Sequence, residues 1–169
     1  GSGFTLMFEA YVMALIEREM PGFSIGLSWR RTTPDFEVKT FSRDHVWHLA
    51  GGQTVNGSAA PDYSGNPAMS NPEEALLVSL ASCHMLTFLS IAALRKLVVD
   101  RYEDAPLAQL GKNEKGKMMI THLSLRPQVT FGGSMIPDAD AVRELHRKAK
   151  ENCFIGNSLL SQVAVEPRF

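Results

Sequence analysis

Cys83 and Cys153 are the only two cysteines of this 169-residue chain, and they are the residues best able to do chemistry. A thiolate is a nucleophile and a redox centre, whereas a buried thiol is a small hydrophobe. In a reducing cytosol a pair seventy positions apart would join transiently, in a redox cycle, more readily than as a permanent staple. By count alone the reading as two unrelated core sulfurs is favoured. A working thiolate needs a cation or a helix N-terminus beside it. Cys83 lies deep inside an apolar run, so the helper must come from elsewhere in the fold. Arg30 and Arg31 are candidates, because a guanidinium stays charged when partly buried. A carboxylate would have to hold such an arginine, and Glu73 and Glu74 precede Cys83 on the same run. Both glutamates also suit a helix cap and its dipole, and both arginines suit a turn. His84 follows Cys83 at once and reads as a hydrogen-bonded core histidine. His45 and His48 make a weak metal pair, since the chain has no CxxC, no HExxH and no third ligand at a telling spacing. No metal and no other cofactor is expected.

The element that must position Cys83 runs from Asn71 to Leu97. Asn71 is suited to capping, Pro72 to the first helical position, and Glu74 to the capping-box carboxylate. No Asp, Glu, Lys or Arg occurs from Ala75 to Leu94. As one helix the stretch would be roughly 39 Å long. Its length raises a transmembrane reading. Against that, Ser79, Ser82, Cys83, Thr87 and Ser90 recur at helical spacing, which suits a helix buried inside protein. Ten residues separate Glu73 from Cys83, about 15 Å along a straight helix, too far for both to hold one arginine within a chain. If they cooperate, two such helices must lie antiparallel across a twofold axis, and a homodimer is the expected assembly.

The remaining chain supplies strands and one further helix. Residues 4–19 place Leu6, Ala10, Met13 and Ala14 together on a short helix, an N-terminal extension of about residues 1–20. From Phe23 the period is two, and Phe23–Trp29 is expected to pair with Phe36–Phe41 across a turn that carries Arg30 and Arg31. A third strand is expected at His45–Leu49, followed by a loop from Ala50 to Ser70. Val98–Leu110 and Lys117–Phe131 flank a turn with Gly116 at its positive-φ position. On the second of these, Met119, Thr121, Leu123 and Leu125 share a face. Asp138 caps a helix to Asn152 that turns Val142, Leu145 and Ala149 inward, Cys153 follows it, and Gln162–Glu166 is the last strand. This order predicts an α+β fold with antiparallel meanders, one domain over residues 21–169.

Hydrophobic residues make up 44% and charged residues 21%, with a formal net charge of -1, the composition of a soluble globular protein. Like charges are not clustered, so neither nucleic acid nor an anionic membrane is an expected partner. The apolar N-terminal stretch lacks a basic start and a small-residue cleavage pattern, so no signal peptide is read and a cytoplasmic setting is expected.

Taken together, NPEEALLVSLASCHM, the later ENCFIGNSL, and Trp29 followed by arginine and FSRDH resemble the OsmC/Ohr superfamily, the osmotically inducible and organic hydroperoxide resistance proteins. The match covers roughly residues 23–166. The resemblance implies an intertwined homodimer, in which antiparallel sheets wrap long central helices. It implies a thiol peroxidase: Cys83 would attack the O–O bond of an organic hydroperoxide, and Cys153 would condense with the resulting sulfenic acid to a disulfide. A dithiol of the lipoyl type would then reset the pair. The family arginine falls on Arg31 and the family glutamate on Glu73. Thr32-Thr33-Pro34 replaces a glycine-rich turn, which leaves Arg30 as the competing choice. His84 stands where those relatives carry an aromatic, and Phe154 where they carry proline. The alternatives from the residues themselves are a dimeric module that binds a small hydrophobic ligand, and a thiol enzyme of other specificity.

Overall fold

The computed structural model of the chain describes residues 2–16 and 22–169. Cα packing divides it into two compact units, Gly1–Asn71 and Pro72–Phe169. In the first unit, helix α1 spans Ser2–Ile16, and the rest of the expected N-terminal helix, residues 17–19, lies outside the described residues. Leu6, Ala10, Met13 and Ala14 are all exposed on it. Strands β1 (Gly26–Ser28), β2 (His45–His48) and β3 (Thr54–Gly57) form an antiparallel sheet in that order.

The expected partner of β1 is wrong. Phe36–Phe41 forms no strand, and Leu27 pairs instead with Trp47 of β2. Pro34 and Asp35 open a turn that closes early, where Thr40 and Phe41 N–H both donate to the Glu37 carbonyl. The aromatic alternation serves a cluster rather than a ladder: Trp29, Phe36 and Phe41 meet at centroid distances of 5.4–6.3 Å. The guanidinium of Arg43 lies 3.7 Å above the Phe41 ring. The loop expected over Ala50–Ser70 contains β3 and two short 3-10 turns. Its inner end is fixed by Ser58, whose hydroxyl donates to Asp44 and accepts from Asn66 N–H.

The second unit is built on helix α2, Pro72–Leu94, about 34 Å long at 1.5 Å per residue. It matches the charge-free run and stops short of the expected Leu97. Lys96 takes the left-handed conformation at φ 59°. Leu97 N–H reaches back to the Ala92 carbonyl and Lys96 N–H to Ala93, the Schellman arrangement that ends a helix. Strands β4 (Val98–Glu103) and β7 (Gln128–Gly132) pair antiparallel. Strands β5 (Leu107–Lys112), β6 (Met118–Leu125) and β8 (Gln162–Val165) form a second sheet in the order β5-β6-β8. The β5–β6 hairpin turns as expected, with Gly116 at φ 72° and the Asn113 side chain accepting from Lys115 and Lys117 N–H. One pairing departs from the antiparallel expectation: β8 runs parallel to β6, with Leu123 opposite Val163. A parallel neighbour needs a crossover, and helix α3, Ala139–Asn152, lies within it. Asp138 accepts from Ala141 N–H at 2.8 Å and so caps α3, whose Val142, Leu145 and Ala149 are buried.

The core of this unit lies between helices and sheet. Leu80 of α2, Leu123 and Leu125 of β6, and Cys153 after α3 form one buried cluster. Further along α2, Phe88 and Ile91 are fully enclosed. Each such side chain stabilises the fold by roughly 1.5–3 kcal/mol relative to exposure.

Candidate functional site

The two cysteines meet. α2 carries Cys83 on the side that faces the end of α3, and the backbone turns at Cys153 (φ -75°, ψ 112°) as α3 ends. This brings Cys153 into the core against Leu80, with Cys83 packed on the same cluster. Neither sulfur is bonded to the other. Cys153 is 1% exposed, and burial pushes its thiol up to about 11. Backbone N–H groups of Gly156 and Ile155 pull the other way, the Gly156 donor lying 3.3 Å from Sγ. A side-chain hydrogen bond to Cys83 and the charge that Cys83 would carry as a thiolate favour the protonated Cys153 further. The arrangement therefore places a protonated thiol beside a second, half-buried sulfur. That is the geometry from which a sulfenic acid on one can condense with the other.

His84, the next residue of α2, is buried against α3. Its Nε2 lies 3.0 Å from Nδ1 of His146 on α3, and the rings are nearly parallel with centroids 5.3 Å apart. His146 stacks in turn on Phe88 at 4.3 Å. The exposures are 1% and 2%. Burial, with Lys150 nearby, holds His84 down at about 4, and burial, with His84 nearby, holds His146 down at about 3. Both imidazoles are thus neutral at neutral pH. The sequence reading of His84 as a hydrogen-bonded core histidine agrees with this, but His146 was missed. The signal was present: His146 falls between Val142 and Ala149 on the inward stripe of α3.

A cavity of about 90 Å³ opens beside Cys153. Its enclosed lining includes Cys153, His84, Leu80 and Leu125, and its exposed lining includes Lys150 and Asn157. Cys83 does not line it. A larger cavity, about 350 Å³, lies along β7 and α3 and is lined by Val129, Phe131, Ile136, Val142, His146 and Phe169, among others.

The other predicted residues stand as follows. Glu73 is in the first turn of α2, and its Oε2 is buried with no hydrogen-bond partner among the described residues. Arg31 belongs to the first unit, where its Nη1 donates to the carbonyls of Thr33 and Pro34, both at 2.7 Å. It thereby holds the turn that replaces the expected glycine-rich one. Arg30 is exposed next to it. His45 Nδ1 bonds the Arg43 carbonyl and His48 Nε2 the Ser28 hydroxyl, so each ring already serves its own hairpin.

The family model described as OsmC-like protein matches residues 65–168. Among solved structures, an OsmC-like protein of unknown function from Vibrio cholerae is 40% identical, with TM-score 0.85, over 88% of this chain and 100% of that one. The organic hydroperoxide resistance protein OhrB of Bacillus subtilis is 18% identical, with TM-score 0.62, over 86% and 98%. A protein from Legionella pneumophila, described as an organic hydroperoxide resistance protein OsmC, is 14% identical, with TM-score 0.63, over 88% and 97%. At these lower identities the likeness shows the fold alone. No curated protein matches the chain.

Proposed function

The chain belongs to the OsmC-like family, and from that premise we propose that it is a cysteine-based peroxidase that reduces organic hydroperoxides to alcohols. The observation that carries this reading is the contact between Cys83 and Cys153, with the second thiol buried and protonated beside the first. The Cys83 thiolate attacks the outer oxygen of R–O–OH. The O–O bond breaks, the alkoxide takes a proton to leave as the alcohol, and Cys83 becomes a sulfenic acid. Cys153 then loses its proton and attacks the Cys83 sulfur, forming a disulfide and expelling hydroxide as water. A dithiol returns both electrons, within a reducing cytoplasmic setting.

Arg31 would steady the thiolate and the departing alkoxide, and Glu73 would orient Arg31. Three features support a homodimer in which the glutamate of one copy serves the site of the other. Glu73 and Cys83 are separated by about 15 Å of helix. The Glu73 Oε2 is buried without a partner among the described residues. Val78 and Leu86 leave an apolar side of α2 exposed, at 62% and 58%, on a helix apolar enough to cross a membrane by length and composition.

A second reading, a binding module for a small hydrophobic ligand, is favoured by the larger cavity along β7 and α3. One experiment separates them. Reduced protein is treated with cumene hydroperoxide or hydrogen peroxide, and its thiols are counted. Loss of both thiols at low organic peroxide, abolished in Cys83→Ser and replaced by a dimedone-trappable sulfenic acid in Cys153→Ser, is expected. Unchanged thiols select the binding module.

A further inference from the structure

The cavity of about 350 Å³ along β7 and α3 has neither cysteine in its lining, so what it binds is a separate matter from the sulfur pair. Val129, Phe131, Ile136, Val142 and Phe169 make most of its wall apolar. Two further residues of the lining do not suit a plain hydrophobic slot. His146 is 2% exposed, its Nδ1 is taken by His84 on α2, and its Nε2 is buried with no hydrogen-bond partner among the described residues. A buried nitrogen left in that state costs free energy until another polar group meets it. Arg168 is the one charged side chain of the lining. Its backbone N–H donates to the Pro127 carbonyl at 2.8 Å and its Nε to the Arg126 carbonyl at 2.7 Å. The stem is thereby fixed, and both Nη groups stay without a hydrogen bond or ion pair among the described residues. Asp104 acts on Arg168 through space but lies outside the lining.

A volume of this size, a mostly apolar wall and a few placed polar groups are the marks of a small-molecule site. We propose that this cavity binds a small apolar acid carrying one hydroxyl, with the hydroxyl on His146 Nε2, the ring or short chain against Phe131 and Val142, and the carboxylate on Arg168. The histidine pair selects the hydroxyl. Across the 3.0 Å contact one nitrogen donates and the other accepts, so a tautomer exchange of both rings turns His146 Nε2 from donor to acceptor. A hydroxyl oxygen matches both states, because it donates and accepts. Arg168 selects the carboxylate. Two Nη groups suit two oxygens, and a single guanidinium balances one negative charge rather than the nearly two of a phosphate monoester. The α3 wall limits the length, since Ala139, Val142 and His146 span about 10 Å of helix, room for one ring with a short arm. The site goes beyond the peroxidase reading and stands without it. Its occupant also differs from the plain hydrophobe of the second reading, because both ends are polar.

The test uses the full chain and calorimetric titration with three compounds of one shape: 3-(4-hydroxyphenyl)propionate, 3-phenylpropionate, which lacks the hydroxyl, and 4-propylphenol, which lacks the carboxylate. The hydroxy acid is expected to bind one per chain, and the other two about fivefold or more weaker. His146→Phe keeps a ring on Phe88 and should erase the preference over 3-phenylpropionate. Arg168→Gln should erase the preference over 4-propylphenol, together with the weakening of wild-type binding by salt. Ala139→Trp, at the exposed first residue of α3, fills the cavity from its rim and should abolish binding. In protein labelled with 15N-histidine, the hydroxy acid should move the Nε2 resonance of His146, a readout that decides the matter even if His146→Phe fails to fold. No saturable binding below about 1 mM, equal binding of all three compounds, or binding that leaves the His146 resonance in place and survives Ala139→Trp overturns the proposal. Cys83→Ser should bind the hydroxy acid as the wild type does, so loss of the peroxidase reading leaves this site standing, and an empty titration leaves the peroxidase reading untouched.

Discussion

A thiol enclosed by Leu80, Leu123 and Leu125 resists ionisation because the thiolate would lose its hydration. For Cys153 this has a direct readout. In Cys83→Ser protein, alkylation of Cys153 by iodoacetamide should be slow at pH 8 and climb about tenfold per pH unit toward pH 11, since only the thiolate reacts. A plateau near pH 9 would contradict the enclosure. The two stacked histidines give the opposite experiment. Their folded values, about 4 and about 3, lie below the ordinary 6.5. The unfolded chain therefore takes up protons below pH 6.5 that the folded chain refuses, and stability falls as pH drops through the window from 6.5 toward 4. Between pH 7 and pH 5 the loss should be roughly 2 kcal/mol for each imidazole. Urea unfolding at the two pH values checks this, and His84→Phe/His146→Phe should show a visibly flatter dependence.

At the scale of elements, the end of α2 carries a correctable cost. Lys96 occupies the left-handed position that glycine usually fills in this kind of helix end. Lys96→Gly should raise stability by about 0.5–1 kcal/mol, the left-handed penalty outweighing glycine's extra freedom in the unfolded chain, read as a shift in thermal midpoint. What could be read from sequence follows the same division. α2, α3 with Asp138, and the turn at Gly116 were legible because each carries its own local chemistry: a charge-free run, a capping carboxylate, a glycine where φ is positive. The pairing of Leu27 with Trp47 was not legible, because Phe36, Val38 and Thr40 show the same alternation as a strand and only the clustering of Trp29, Phe36 and Phe41 decides otherwise. The parallel seat of β8 was hidden too, since the sequence of a four-residue strand holds no record of its neighbour's direction. At the site, Cys83 and Cys153 were legible by type. His146 and Lys150 were not, because each reads as ordinary helix surface or core until α3 is docked.

At the scale of the molecule, the proposed twofold partner accounts for Leu86 and Val78, which no described residue covers. Sedimentation equilibrium at micromolar concentration should give a dimer, and Leu86→Glu should shift the mass toward the monomer while α2, whose inner side is Leu80, Phe88 and Ile91, keeps its helical signal. A monomeric wild type would sink the shared site. The parallel pairing of β6 with β8 has a further consequence, for the time before the fold is complete. Cys153 sits in the crossover between these strands, so its enclosure depends on a contact that closes only after α3 has formed and β8 has been synthesised and docked. Long-range pairings of this kind form late. A growing chain would therefore present Cys153 as an ordinary accessible thiol, open to glutathione or to a neighbouring chain, and acquire its shelter only when the last strand arrives.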